Sequence, residues 1–86
     1  MFQYNELFVR ISPEQIIRHD ERKHTDVCDG FLIEIYGDDH CQVPLEIIGA
    51  AVGYELSENS EDEAAEFAKD YVNDMIEIYR EMQREK

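Results

Sequence analysis

The segment after Ser60 constrains this chain more than any other. Ser60-Glu61-Asp62-Glu63 has the form of a capping box, and its three acids stand in the first turn, where the helix dipole favours negative charge. Ala64, Ala68, Tyr71, Met75, Ile78 and Met82, with Phe67, Val72, Ile76 and Tyr79 alongside, then recur at alternating spacings of three and four. Arg80, Arg84 and Lys86 stand near the other end. This predicts one helix over about 61–84, which spans about 36 Å at ~1.5 Å per residue. A domain of this size has a radius of gyration near ~12 Å and so a diameter of roughly 30 Å. The helix end is therefore expected to overhang, carrying Met75, Ile78, Tyr79 and Met82 as an apolar stripe that marks a contact surface. Self-association through these four residues, with Arg80 and Arg84 beside a neighbour's Glu77, Glu81 and Glu85, is the resulting expectation of a homodimer.

The rest of the chain must supply the other half of the core, and its length of 86 residues leaves room for one domain, 1–86. Tyr4, Leu7, Phe8 and Ile11 have the spacing of a helix face, although Leu7, Val9 and Ile11 equally suit a strand; a short helix is expected. Ser12-Pro13-Glu14-Gln15 reads as a second capping box opening a helix over about 13–23. Phe31-Leu32-Ile33-Glu34-Ile35-Tyr36 is β-branched and aromatic and predicts a strand. Gly37-Asp38-Asp39-His40 then turns into Cys41-Gln42-Val43, so a hairpin of 31–36 and 41–43 is expected. Pro44 is placed to open a helix over about 45–53, with Gly53 to cap it. The expected fold is α+β: short N-terminal helices, a hairpin at about 31–43, a short helix and the long C-terminal helix.

Charge is the feature most suggestive of function. Twenty-one acidic against 8 basic residues give −13, and the imbalance is regional. Between Lys23 and Lys69 stand Asp26, Asp29, Glu34, Asp38, Asp39, Glu46, Glu55, Glu58, Glu61, Asp62, Glu63 and Glu66 with no lysine or arginine among them. A one-sided negative field attracts cationic surfaces and repels nucleic acid and anionic membrane. The plain consequence is solubility. The sharper expectation is that Asp26, Asp29, Glu34, Asp38, Asp39, Glu58, Glu61, Asp62 and Glu63 bind a basic surface of another protein in the place of phosphates. In size and charge the chain is similar to small phage-encoded inhibitors of host nucleases, of the anti-CRISPR and antirestriction type. That likeness implies a nucleic-acid mimic and is carried by no motif.

Other constellations are weaker. His24, Cys28, His40 and Cys41 offer the ligand types of a zinc site, and a small metal-binding or regulatory subunit is the alternative reading. The expected hairpin, turning between Asp38 and Asp39, separates the two cysteines by about 26 Å at ~3.3 Å per residue, so free thiols and no metal are expected. Arg18, His19, Arg22, Lys23 and His24 are the one basic cluster, interrupted by Asp20 and Glu21, and read as an exposed face with local ion pairs. No Gly-x-Ser-x-Gly elbow, Gly-rich phosphate loop or His-Glu-x-x-His occurs, so a non-enzyme without cofactor is expected. The N-terminal residues have no signal-peptide character and the apolar runs are short, from which a cytoplasmic protein is expected.

Overall fold

The computed structural model describes residues 1–19, 22 and 24–84. Its elements are β1 (Phe2–Tyr4), β2 (Leu7–His19), β3 (Thr25–Tyr36), β4 (Glu46–Ala51) and α1 (Glu61–Arg84). The strands form one antiparallel sheet in the order β1-β2-β3-β4, and α1 packs against β2 and β3. The architecture is α+β, as expected, but among the described residues the short N-terminal helices are not found.

Residues 7–19 are strand because their alternation meets a complementary alternation across the sheet. Val9 pairs with Ile35, Ile11 with Ile33, and Phe2 with Val9 on the other side. Leu7, Val9, Ile33 and Ile35 are fully buried on the face under α1, and burying a side chain of this size contributes about 1.5–3 kcal/mol. A helix over Tyr4–Ile11 would also have had to pass through Asn5 and Glu6, both at positive φ. They form the two-residue turn between Tyr4 and Leu7, a hairpin connection that requires this backbone. The expected helix over 13–23 is likewise replaced, as far as His19, by β2, which runs through Pro13; residues 20, 21 and 23 of that expectation lie outside the described residues. Proline biases Ser12 toward an extended backbone, and β1 pairs only with residues 7–9, so Pro13 lies where β2 is an edge.

Two further expectations are corrected together. The segment 45–53 is not helical: Glu46–Ala51 pairs with β3, Ile48 opposite Ile33 and Ala50 opposite Phe31. Consequently the hairpin does not turn at Asp38-Asp39, and 41–43 is not its second strand. The turn is residues 37–45, and it closes where the Leu45 amide donates to the Ile35 carbonyl. Pairing at 46–51 buries Ile48 and Ala50 against the core, a gain that Cys41-Gln42-Val43 is too short and too polar to match. Gly53, expected to stop a helix, stops a strand instead; its φ of 91° fits glycine, and the following turn returns the Tyr54 and Leu56 amides to the Ala51 carbonyl.

The C-terminal helix runs over the expected residues. Ala64, Ala68, Val72 and Ile76 are its buried row, closing one core with Leu7, Val9, Phe31, Ile33, Ile35, Ala50 and Leu56. Its cap departs from a simple box. The Ser60 hydroxyl accepts from the Glu63 amide at 3.4 Å, but the Glu63 carboxylate reaches past Ser60 to the Ser57 amide (2.6 Å), the Ser57 hydroxyl (2.8 Å) and the Glu58 amide (2.9 Å). Ile76 is the last buried residue of α1; Tyr79 still packs against the core, and residues 80–84 are exposed. No helix among the described residues is long and apolar enough to cross a membrane.

Candidate functional site

The nine carboxylates expected to meet a partner lie in four places: the start of β3, the middle of β3, the turn after it, and the segment that opens α1. Asp26 and Asp29 are exposed on the part of β3 that runs beyond β4. Asp29 accepts from the Gln15 side chain at 2.7 Å, and Asp26 accepts from the Tyr54 hydroxyl at 3.4 Å and the Cys28 thiol at 3.5 Å. Asp29 also shares a shallow cleft with Asn59, which brings it beside the segment carrying Glu58, Glu61 and Asp62, all exposed. Asp38 and Asp39 are exposed in the turn after β3, at the other end of the sheet. Gly30 and Tyr36 mark the two ends of that separation, six residues or about 20 Å at ~3.3 Å each.

Two of the nine, Glu63 and Glu34, are not exposed and are held by contacts inside the molecule. Glu63 is the α1 cap, and the bonds from Ser57, together with that from Glu58, hold its carboxyl below the ordinary range against the opposing effect of desolvation. Glu34 is half-buried and accepts from the Tyr36 hydroxyl at 2.6 Å; this bond, with burial, pushes the tyrosine up. Above the same tyrosine the Arg10 guanidinium sits 5.3 Å from the ring centroid.

The basic cluster is divided by the fold. Arg18 does not present its charge to a partner: it pairs with Glu55, reaches the Gly49 carbonyl at 3.3 Å and lies 5.4 Å over the Tyr54 ring. Glu55 in turn accepts from the Ala51 amide at 3.0 Å, so the pair clamps the 52–56 turn to the sheet. His19 lies 3.3 Å from the Thr25 hydroxyl. Lys23, Asp20 and Glu21 lie outside the described residues.

The four residues with metal-ligating side chains are not gathered. Cys28 stands on β3 opposite Ile16, with His24 just before the strand, while His40 and Cys41 belong to the turn at the other end. Both cysteines are free thiols, and among the described residues no group of three or more His, Cys, Asp or Glu side chains is placed to hold a metal ion.

Met75, Ile78, Tyr79 and Met82 do come together. With Tyr71 of α1, and with Leu45 and Glu46 where the chain enters β4, they line a groove of about 260 Å³. Ile78 is 62% and Met82 56% exposed. Glu77 and Glu81 share a separate depression with Arg80 and Arg84, and Arg80 pairs with Glu6 at 3.1 Å rather than lying along the apolar row as the expected dimer pairing required. Glu85 and Lys86 lie outside the described residues. The feature missed in the sequence is the row Asp70, Asp74, Glu77 and Glu81, which repeats the spacing of Tyr71, Met75, Ile78 and Met82 one residue earlier. No known family model, curated protein or solved structure matches this chain.

Proposed function

We propose that this chain is a non-catalytic protein-binding module whose carboxylates engage a basic surface of a nucleic-acid-binding protein, taking the place of phosphates and inhibiting a nuclease. The observation that carries this reading is charge per unit length. The described residues hold 18 acids against 6 bases, a net −12, on a molecule with a long axis of 44 Å. That is one net negative charge per about 3.7 Å, against one per ~3.4 Å along a single nucleic-acid strand. Averaged along the long axis, lysines and arginines arranged to hold a phosphate backbone meet a similar density of charge here. The exposed carboxylates of β3 and of the first turn of α1 are also carried on ordered backbone, so little conformational freedom is lost on binding.

The test uses a partner isolated from the native cell or its host. Duplex DNA should compete with the protein for it, and binding should fall steeply with salt as the Debye length shrinks from about 10 Å at 0.1 M to ~3 Å at 1 M. Reversal of Asp38, Asp39, Glu61 and Asp62 to lysine, all exposed, should weaken binding and leave the circular dichroism unchanged. Binding that ignores salt, with the reversed variant as active as the original, overturns the proposal.

A further inference from the structure

We infer that the groove between α1 and the start of β4 receives a basic amphipathic helix of the partner protein. This rests on the protein-binding reading above and names the partner's chemistry at one surface.

The widths of the two layers leave a berth beside α1. A helix with its side chains is about 10–12 Å across, and α1 lies over β2 and β3. Strands are spaced ~4.8 Å apart, which puts β4 about 7 Å to the side of the α1 axis, at the margin of its cover. Packed helices lie 8–10 Å apart, so a second helix laid beside α1 would sit over β4. The groove occupies only the start of that berth, lined by Leu45 and Glu46 where the chain enters β4 and by α1 from Tyr71 to Met82, because Ala50 farther along β4 is already buried in the core. From 71 to 82 the groove runs about 16 Å at ~1.5 Å per residue, three turns of a partner helix. The outer edge of β4 is less suited to an added strand, because the Ala51 amide is taken by Glu55 and the Gly49 carbonyl by Arg18.

Charge then chooses the occupant. The rows on α1 are ordered around the axis at about 100° per residue: the buried row of Ala68, Val72 and Ile76, next the groove row of Tyr71, Met75, Ile78 and Met82, next the exposed row of Asp70, Asp74, Glu77 and Glu81. The row on the solvent side of the groove thus carries four carboxylates, of which Glu77 and Glu81 share a depression with Arg80 and Arg84. On the β4 side stands Glu46, whose charge and hydrogen bond add to burial in pushing the Tyr71 hydroxyl up. A helix with an apolar stripe flanked by lysine or arginine satisfies both rims. A second copy brings an acidic rim against an acidic rim, and an anionic membrane is repelled in the same way.

The experiment uses the full chain and a fluorescent Lys/Leu peptide of about five turns with leucines at i, i+3, i+4 and i+7, alongside a scramble of the same composition. Anisotropy should show the amphipathic peptide binding about tenfold or more tighter than the scramble. Ile78→Glu with Met82→Glu, both exposed positions, should abolish that preference. Asp74→Lys with Glu81→Lys should weaken both peptides and reduce the salt dependence. Equal binding of the two peptides, or a preference that survives Ile78→Glu with Met82→Glu, overturns the inference and leaves the protein-binding reading standing on its own test at Asp38, Asp39, Glu61 and Asp62. Preference for the amphipathic peptide, together with a native partner indifferent to reversal of those four, supports the groove and overturns the phosphate-mimic reading. Sedimentation of the unliganded protein as a dimer that Ile78→Glu with Met82→Glu dissociates identifies a second copy as the occupant and overturns the inference.

Discussion

Gly30 has room for a hydrogen and nothing more. It lies on β3 between Glu14 and Ala51, and a Cβ there would stand 2.2 Å from the Ala50 carbonyl oxygen and 2.8 Å from Ile16 Cγ1. The isoleucine can turn aside, but the carbonyl is part of the β3–β4 pairing and cannot withdraw without loosening it. Gly30→Ala should therefore cost about 3 kcal/mol, at the upper end for inserting a methyl into a filled site. Gly49→Ala is the internal control. Its nearest neighbour is the flexible tip of the same Ile16 side chain, at 3.2 Å, and its cost should stay under ~1 kcal/mol. Urea midpoints compare the two, and equal midpoints would show that β4 shifts to make room. Neither role is visible from composition, since a glycine in a turn and one under a carbonyl are spelled alike.

At the scale of the element, α1 depends on a carboxylate that leaves its own first turn to hold the preceding segment. Glu63 accepts from Ser57 and Glu58, and these bonds lower its folded pKa relative to an ordinary glutamate. A depressed folded pKa contributes stability that is present above the unfolded pKa, near ~4.3 for glutamate, and is lost as pH falls through the folded value. The loss of stability in Glu63→Ala should therefore be largest near neutral pH and should shrink as pH drops below the ordinary carboxylate range. Paired urea titrations across that range check this, and a difference independent of pH would show that the contact is steric. The same element carries the groove row and its acidic rim, so a weakened cap should also loosen the surface proposed to receive a partner helix.

Over the whole molecule, negative charges far outnumber the bases available to pair with them. A net charge of −13 on 86 residues opposes compaction, and the bases are partly committed to fixed pairs such as Arg18–Glu55 and Arg80–Glu6. Shortening the Debye length from about 30 Å at 0.01 M to ~10 Å at 0.1 M relieves this repulsion. The thermal midpoint should rise with sodium chloride over that range while the affinity for a basic partner falls. Calorimetry at several salt concentrations tests the first half, and a midpoint that falls with salt would mean that attractive pairs outweigh the net charge. These opposite responses separate charge that burdens the fold from charge that serves binding.

Residues close together in sequence determined α1 and the charge map. A cap at Ser60, apolar residues every three or four positions and acids in the first turn all act within a helix whose hydrogen bonds are local, so 61–84 was legible without its neighbours. The strand at 31–36 was legible for the same reason, its β-branched run. The N-terminal third was not, because Tyr4, Leu7, Phe8 and Ile11 satisfy a helix while Leu7, Val9 and Ile11 satisfy a strand. Only the pairing with Ile33 and Ile35 decides between them. Leu45–Gly53 was ambiguous in the same way, and mistaking it for a helix moved the hairpin turn to Asp38-Asp39. A register error of this kind relocates every side chain on the strand. For the site, the sequence alone determined how many carboxylates there are and that they cluster between Lys23 and Lys69. Tertiary structure decided which remain free: Glu55 and Glu63 were drawn into contacts with Arg18 and Ser57, while Asp70, Asp74, Glu77 and Glu81 became the rim of a groove. Contacts between residues far apart in the chain form only when the sheet and helix are assembled, and they carry no signature in the local spacing.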